Sequence, residues 1–160
     1  MEVIMLRNRT RPALIGILAA VLLSVTPALA DPPQSVTVDG IRIDWGVEAG
    51  SQVAASGNAV DQSMHGGEKR GPRDYHLTVS LTDLATGKQV PDAKVEADMY
   101  QIGLDGPWKS LQPMAEGGTY TYGNYFKMNE ASPLPYRIAL RIHLPGQKEA
   151  ITAEFTHDHE

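Results

Sequence analysis

Ile41-Arg42-Ile43-Asp44-Trp45-Gly46-Val47-Glu48 alternates apolar and polar side chains over its whole length. A period of two belongs to an extended chain, whose successive side chains point to opposite sides. Ile41, Ile43, Trp45 and Val47 therefore share one face that calls for burial, while Arg42, Asp44 and Glu48 share a wet one. Just upstream, Val36 and Val38 alternate with polar neighbours, and Asp39-Gly40 follows them. That dipeptide suits a type I′ turn, which needs positive φ at both central residues. Residues 31–48 are thus predicted to hold a β-hairpin with one buried face.

The same alternation recurs along the chain. Tyr75, Leu77, Val79 and Leu81 oppose His76, Thr78 and Ser80, which places His76 on the outer face of its strand. Val95, Ala97 and Met99 are set to point inward and Lys94, Glu96 and Asp98 outward. Tyr136, Ile138, Leu140 and Ile142 alternate with Arg137, Ala139, Arg141 and His143, and Ile151, Ala153 and Phe155 form the last inward set. A tyrosine-rich strand runs from Thr119 to Met128 with Tyr120 and Tyr122 on one face; Gly123 within it suggests a bulge or a close backbone approach. Between Gln101 and Pro113 glycines and proline break any element, and Trp108 and Leu111 are expected to cover one end of the core. No useful helical period follows the N-terminal segment. Six to eight short strands separated by turn signals imply an all-β, immunoglobulin-like sandwich. With no cysteine, the chain lacks the disulfide landmark that would fix the topology.

The ends and the charge narrow the setting. Arg7, Arg9 and Arg11, the apolar run Ala13 to Val25, and Ala28-Leu29-Ala30 form the pattern of a secretory signal peptide over residues 1–30, cleaved before Asp31. Residues 31–160 are then one domain: the hairpin to 48, a flexible Gly/Ser/Ala-rich loop over 49–72, and the main part of the sandwich over 73–160. A periplasmic or secreted location follows, with no membrane insertion after cleavage. The net charge is −5, and removing the N-terminal arginines makes the remainder more acidic. Nucleic acid is a poor partner for such a surface. The absence of cysteine removes thiolate metal sites and thiol redox chemistry.

Motifs for catalysis are missing: no Gly-x-Ser-x-Gly, no His-Glu-x-x-His and no phosphate-cradling glycine loop. The chain reads as a binding protein and not an enzyme. Its chemistry lies in five histidines, all after residue 30, and in Met64, Met114 and Met128. Thioether and imidazole together suit copper, and imidazole also suits iron and zinc. Met64-His65-Gly66-Gly67 brings both donor types onto the long loop, and His76 opens the first strong strand after it. His143 ends a strand, while His157 and His159 sit two residues apart at the C-terminus. In an extended chain that spacing puts both on one side, where a pair can chelate one ion.

Pro113-Met114, then Tyr122-Gly123-Asn124 and Lys127-Met128, then Tyr136-Arg137-Ile138 resemble the periplasmic iron-transport accessory proteins, the Fe²⁺ transport protein family. The resemblance implies an immunoglobulin-like, usually dimeric protein that binds copper through methionine and histidine while serving iron uptake. Met114 would be its methionine ligand and His76, in Tyr75-His76-Leu77, its strand-opening histidine. The family's histidine before the Tyr-Gly pair is here Thr121, and its acidic residue and second histidine after the strand histidine are absent from Leu77-Thr78-Val79-Ser80. Tyr75-His76-Leu77-Thr78-Val79 and Val90-Pro91-Asp92-Ala93-Lys94-Val95 are more loosely similar to the YtkA-like and FixH-like periplasmic domains, small sandwiches linked to copper handling.

The reading is a periplasmic metal binder, copper first and iron second. Its metal ligands are His76, Met114, Met64 and His65, with His143, His157 and His159 as additional candidates. Its partner would be an envelope metal transporter or a metalloprotein acceptor, or a second copy in a homodimer. The alternative is an envelope interaction module that uses Tyr120, Tyr122 and Tyr125 for contact.

Overall fold

The hairpin forms as the alternation requires. Strand β1 (Ser35–Val38) turns at Asp39 and Gly40, whose φ angles are 49° and 77°, and returns as β2 (Ile41–Ala49) with Val38 opposite Ile41. The structure, a computed structural model, describes residues 34–55, 71–129, 131 and 133–158. Strand β2 pairs along its whole length with β3 (Asp74–Asp83), from Ile41 opposite Asp83 to Ala49 opposite Tyr75. The rest of this first sheet is β8 (Thr119–Lys127) on the far side of β3, then β7 (Gln112–Glu116), with the two-residue β4 (Lys88–Gln89) also on β3.

The second sheet has the order β10 (Ile151–His157), β9 (Tyr136–His143), β5 (Lys94–Gln101), β6 (Lys109–Ser110). Every pairing in both sheets is antiparallel. Two such sheets packed face to face make the all-β, immunoglobulin-like sandwich that the alternation predicts.

The inner faces are the expected ones. Ile43, Leu77 and Val79 of the first sheet and Ala97, Ile138 and Ile142 of the second are fully buried in one core. Burying each of the large aliphatic side chains is worth about 1.5–3 kcal/mol. Trp45 on β2 stacks on Phe155 of β10 with ring centroids 4.2 Å apart, which joins the two sheets along one side. Tyr122 fixes the β4–β5 turn: its hydroxyl donates to the Val90 carbonyl at 2.6 Å and accepts from the Ala93 amide at 3.0 Å.

The outer faces differ from expectation. The segment after β2 opens with a six-residue helix, α1 (Gly50–Ala55), too short to leave a periodic trace in the sequence. It contacts β2 and β3, and its Val53 is buried. His76 lies outside the core, as its parity requires, yet is only 2% exposed. On the other sheet Asp98 is also 2% exposed, against the expectation of a solvated residue, because Arg137 covers it. Trp108 covers no core; it is partly exposed, with the Arg141 guanidinium 4.3 Å over its ring, while Leu111 is buried as expected. Gly123 makes no bulge, since its pairing continues unbroken to Thr78 on one side and Gln112 on the other.

Candidate metal centre

The register of three strands builds a small site on the outer face of the first sheet. His76 on β3 faces Tyr125 across β8, and Thr78 faces Gly123. On the opposite side of β8, Gly123 meets Gln112 and Thr121 meets Met114. Met114 and His76 thus belong to the two strands flanking β8, on the same side of the sheet and offset diagonally. Any side chain at position 123 would stand between them.

Glycine leaves that space open. A Cβ at position 123 would stand 2.7 Å from His76 Nε2 and 2.7 Å from Met114 Cε. Both groups thus approach one point above the bare backbone, and they are separated by no more than twice that distance. Both residues are buried, as is Tyr125 beside His76. Tyr125 stacks on the imidazole at a centroid distance of 4.6 Å and an angle of 28°. Lys109 Nζ donates to the Tyr125 carbonyl at 2.9 Å, and the Asn124 side chain donates to the Ser110 carbonyl at 2.8 Å. These contacts tie this stretch of β8 to β6 in the other sheet.

The donor types bear on which ion such a site would suit. Among the described residues no group of three or more His, Cys, Asp or Glu side chains converges, so a hard or strictly tetrahedral ion finds no cage. An imidazole nitrogen and a thioether beside it are a soft pair that suits Cu(I) at low coordination number. His76 and Met114 would hold such an ion over Gly123; Thr121, directly opposite Met114, offers only a hydroxyl.

The other candidate ligands lie elsewhere. Met64, His65 and His159 fall outside the described residues. His143 ends β9 on the outer face of the second sheet, opposite Lys94, and so lies on the far side of the sandwich from His76. His157 pairs with Tyr136 at the other end of β9 and sits edge-on to Trp45 at 6.4 Å. At about 3.3 Å per residue, the length of β9 separates His143 from His157 by roughly 23 Å. They cannot share an ion. Met128 is buried in the core. Tyr122 and Tyr125 are buried too, so β8 does not present them as a contact surface.

The sequence gives no sign of a second polar cluster, on the outer face of the other sheet. Arg137 Nη2 donates to Asp98 Oδ2 and to Asp105 Oδ1, both at 2.8 Å, and Glu154 lies 3.5 Å from Nη1. Asp98 and Glu96 share a strand face, but they are no acid–base pair: Asp98 is neutralised by Arg137 and Glu96 sits by Lys94 at 3.5 Å.

No family model matches the chain, and no curated protein matches it. Solved structures do. A DUF4426 family protein from Pseudomonas aeruginosa superposes with a TM-score of 0.57 at 16% identity, covering 78% of this chain and 91% of that one. FetP of uropathogenic E. coli, recombinantly expressed in the periplasm, gives 0.54 at 14% identity over 78% and 93%. A copper-bound variant of FetP gives 0.54 at 13% identity over 80% and 96%. At such identities the likeness is one of fold. Among the described residues, no helix is long and apolar enough to cross a membrane.

Proposed function

We propose that this chain is an exported periplasmic protein that binds copper, with iron as the second choice, and delivers it without turnover to an envelope metal transporter or a metalloprotein acceptor. The reading rests on one observation: the buried side chains of His76 and Met114 bring Nε2 and Cε together over the bare backbone of Gly123. The fold likeness to FetP, which has a copper-bound form, supports it. The bound ion supplies its charge and its redox couple; the protein supplies two soft donors, an aromatic lid in Tyr125 and exclusion of water. Two protein ligands hold an ion less firmly than four do, which suits a site that must release its cargo. Met64 and His65 remain proposed partners from the preceding segment, and a homodimer remains the proposed assembly.

The test is metal retention. The protein is loaded anaerobically with Cu(I), and separately with Cu(II), Fe(II) and Zn(II), desalted, and assayed for bound metal. The expected result is one Cu(I) per chain, abolished by His76→Ala and by Met114→Leu and weakened by the Met64→Leu/His65→Ala double substitution. Retention of no ion, or copper retention that survives both His76→Ala and Met114→Leu, defeats the proposal.

A further inference from the structure

A cleft of about 620 Å³ opens at one end of the sandwich, between the last residues of β8 and the ends of β5 and β9. That volume lies within the range of small-molecule sites, about 300–1,000 Å³. Its floor is apolar and fixed: Met99, Phe126, Met128 and Tyr136 are each at most 5% exposed. Neither His76 nor Met114 lines it, so it is separate from the candidate metal centre.

The lining charge is all of one sign. Arg73, Lys109 and Lys127 line the cleft and, among the described residues, no carboxylate does, in a chain whose net charge is −5. Lys127 is compensated by Asp74 Oδ1 at 2.6 Å. Lys109 and Arg73 form no ion pair among the described residues. Lys109 Nζ sits 5.0 Å above the Phe126 ring, which brings a cation directly against the apolar floor.

The mouth is apolar as well. Of seven exposed large hydrophobic residues among the described ones, five (Tyr100, Ile102, Leu104, Trp108 and Leu134) fall on two segments that the Ile102 amide joins by donating to the Pro135 carbonyl at 3.1 Å. Single exposed apolar residues need no explanation, but a contiguous group beside a cleft marks a contact site. Tyr100 and Leu104 of this group line the cleft itself.

We propose that this cleft binds a carboxylate carrying an apolar tail, of the medium-chain fatty-acid class. The carboxylate pairs with Arg73 and Lys109, and the tail lies on Met99, Phe126 and Met128 beneath Leu104. A neutral lipid would leave two cations without an anion. A cationic one would be repelled.

Titration calorimetry of the protein, expressed from its full chain, tests this with decanoate below its micelle concentration, and with decanol and decyltrimethylammonium as the neutral and cationic arms. Decanoate is expected to bind saturably at one site per chain, decanol at least about tenfold more weakly, and the ammonium not at all. Each charged contact is worth enough that Arg73→Gln/Lys109→Gln should weaken decanoate about ten- to a hundredfold. If that double variant loses its circular dichroism signature, Arg73→Gln alone and the salt dependence of the unmodified protein decide the matter; affinity should fall in both. Absence of saturable decanoate binding, equal affinity for decanol, or undiminished affinity in the folded variant overturns the proposal.

Discussion

The outer faces of the two sheets carry the same architectural device with opposite chemistry. On the first sheet, Gly123 lacks the side chain that would push His76 and Met114 apart. On the second, Gly106 leaves room for the Tyr100 ring and for Asp98, whose Oδ1 a Cβ at position 106 would approach to 2.9 Å. In both places a missing methyl lets functional groups pack outside the hydrophobic core. The second cluster supplies its own cation, because Arg137 joins Asp98, Asp105 and Glu154. The first gathers an imidazole and a thioether. A closed ionic network holds structure; an array of lone-pair donors can receive an ion from outside.

Removing the built-in cation should therefore have the largest effect on stability. Arg137→Ala would leave Asp98 buried against uncompensated charge, at a cost of about 3–5 kcal/mol. Asp105→Asn touches the exposed arm of the same network and should cost less than about 1 kcal/mol. Denaturant unfolding of both variants checks the pair. Copper retention measured on folded Asp105→Asn should match the unmodified protein, as the two faces are independent. Similar losses for both substitutions would mean that the network is a surface feature and the contrast between the faces is false.

Filling the other glycine tests the opposite pole. Gly123→Ala places a methyl 2.7 Å from both His76 Nε2 and Met114 Cε. The methionine end is flexible and can give way, so the stability cost should stay near the low end of overpacking, about 1 kcal/mol. Cu(I) retention should nevertheless be lost, since the added methyl occupies the space into which the His76 nitrogen and the end of the Met114 side chain both reach. A variant that unfolds at nearly the same denaturant concentration yet retains copper breaks the comparison. A smaller change adds a donor: Thr121→His places an imidazole directly across from Met114. A third ligand should tighten Cu(I) about tenfold, or about 1.4 kcal/mol, read by competition with a chromogenic chelator.

The inner faces are legible in the sequence and the outer ones are not, for a physical reason. Period-two alternation names the residues that meet across the sandwich, and Asp39-Gly40 names the turn, so β2, β3, β5, β9 and β10 follow directly. Alternation does not say what covers the other face. His76 and Thr78 look alike in parity, yet His76 is buried, stacked on Tyr125 and meeting the Met114 methyl over Gly123, while Thr78 is only half-buried. Glu96 and Asp98 look alike too, and only the pairing of β5 with β9 reveals that Arg137 can reach Asp98. The sequence singles out His76 and Met114 one at a time. Their nearness depends on β8 lying between β3 and β7, a pairing of distant segments that no local pattern encodes.

The last contrast concerns Tyr122, on the inner side of the strand whose outer side carries Gly123. Tyr122→Phe removes the hydroxyl that donates to Val90 and accepts from Ala93, and should cost about 1–1.5 kcal/mol. Burial raises the Tyr122 pKa above its ordinary 10.0, against a smaller lowering by the Ala93 amide. Below pH 10 the phenol is protonated in both folded and unfolded chains and titration contributes nothing. As pH rises past 10.0 the unfolded chain ionises first, so stability falls until the folded-state pKa is passed. Tyr122→Phe should flatten that alkaline decline in unfolding curves recorded from neutral pH upward. If core and outer face are separate, the same variant should match the unmodified protein in the copper-retention assay. Copper retention that falls with Tyr122→Phe would mean instead that the proposed metal site depends on how β8 seats in the core.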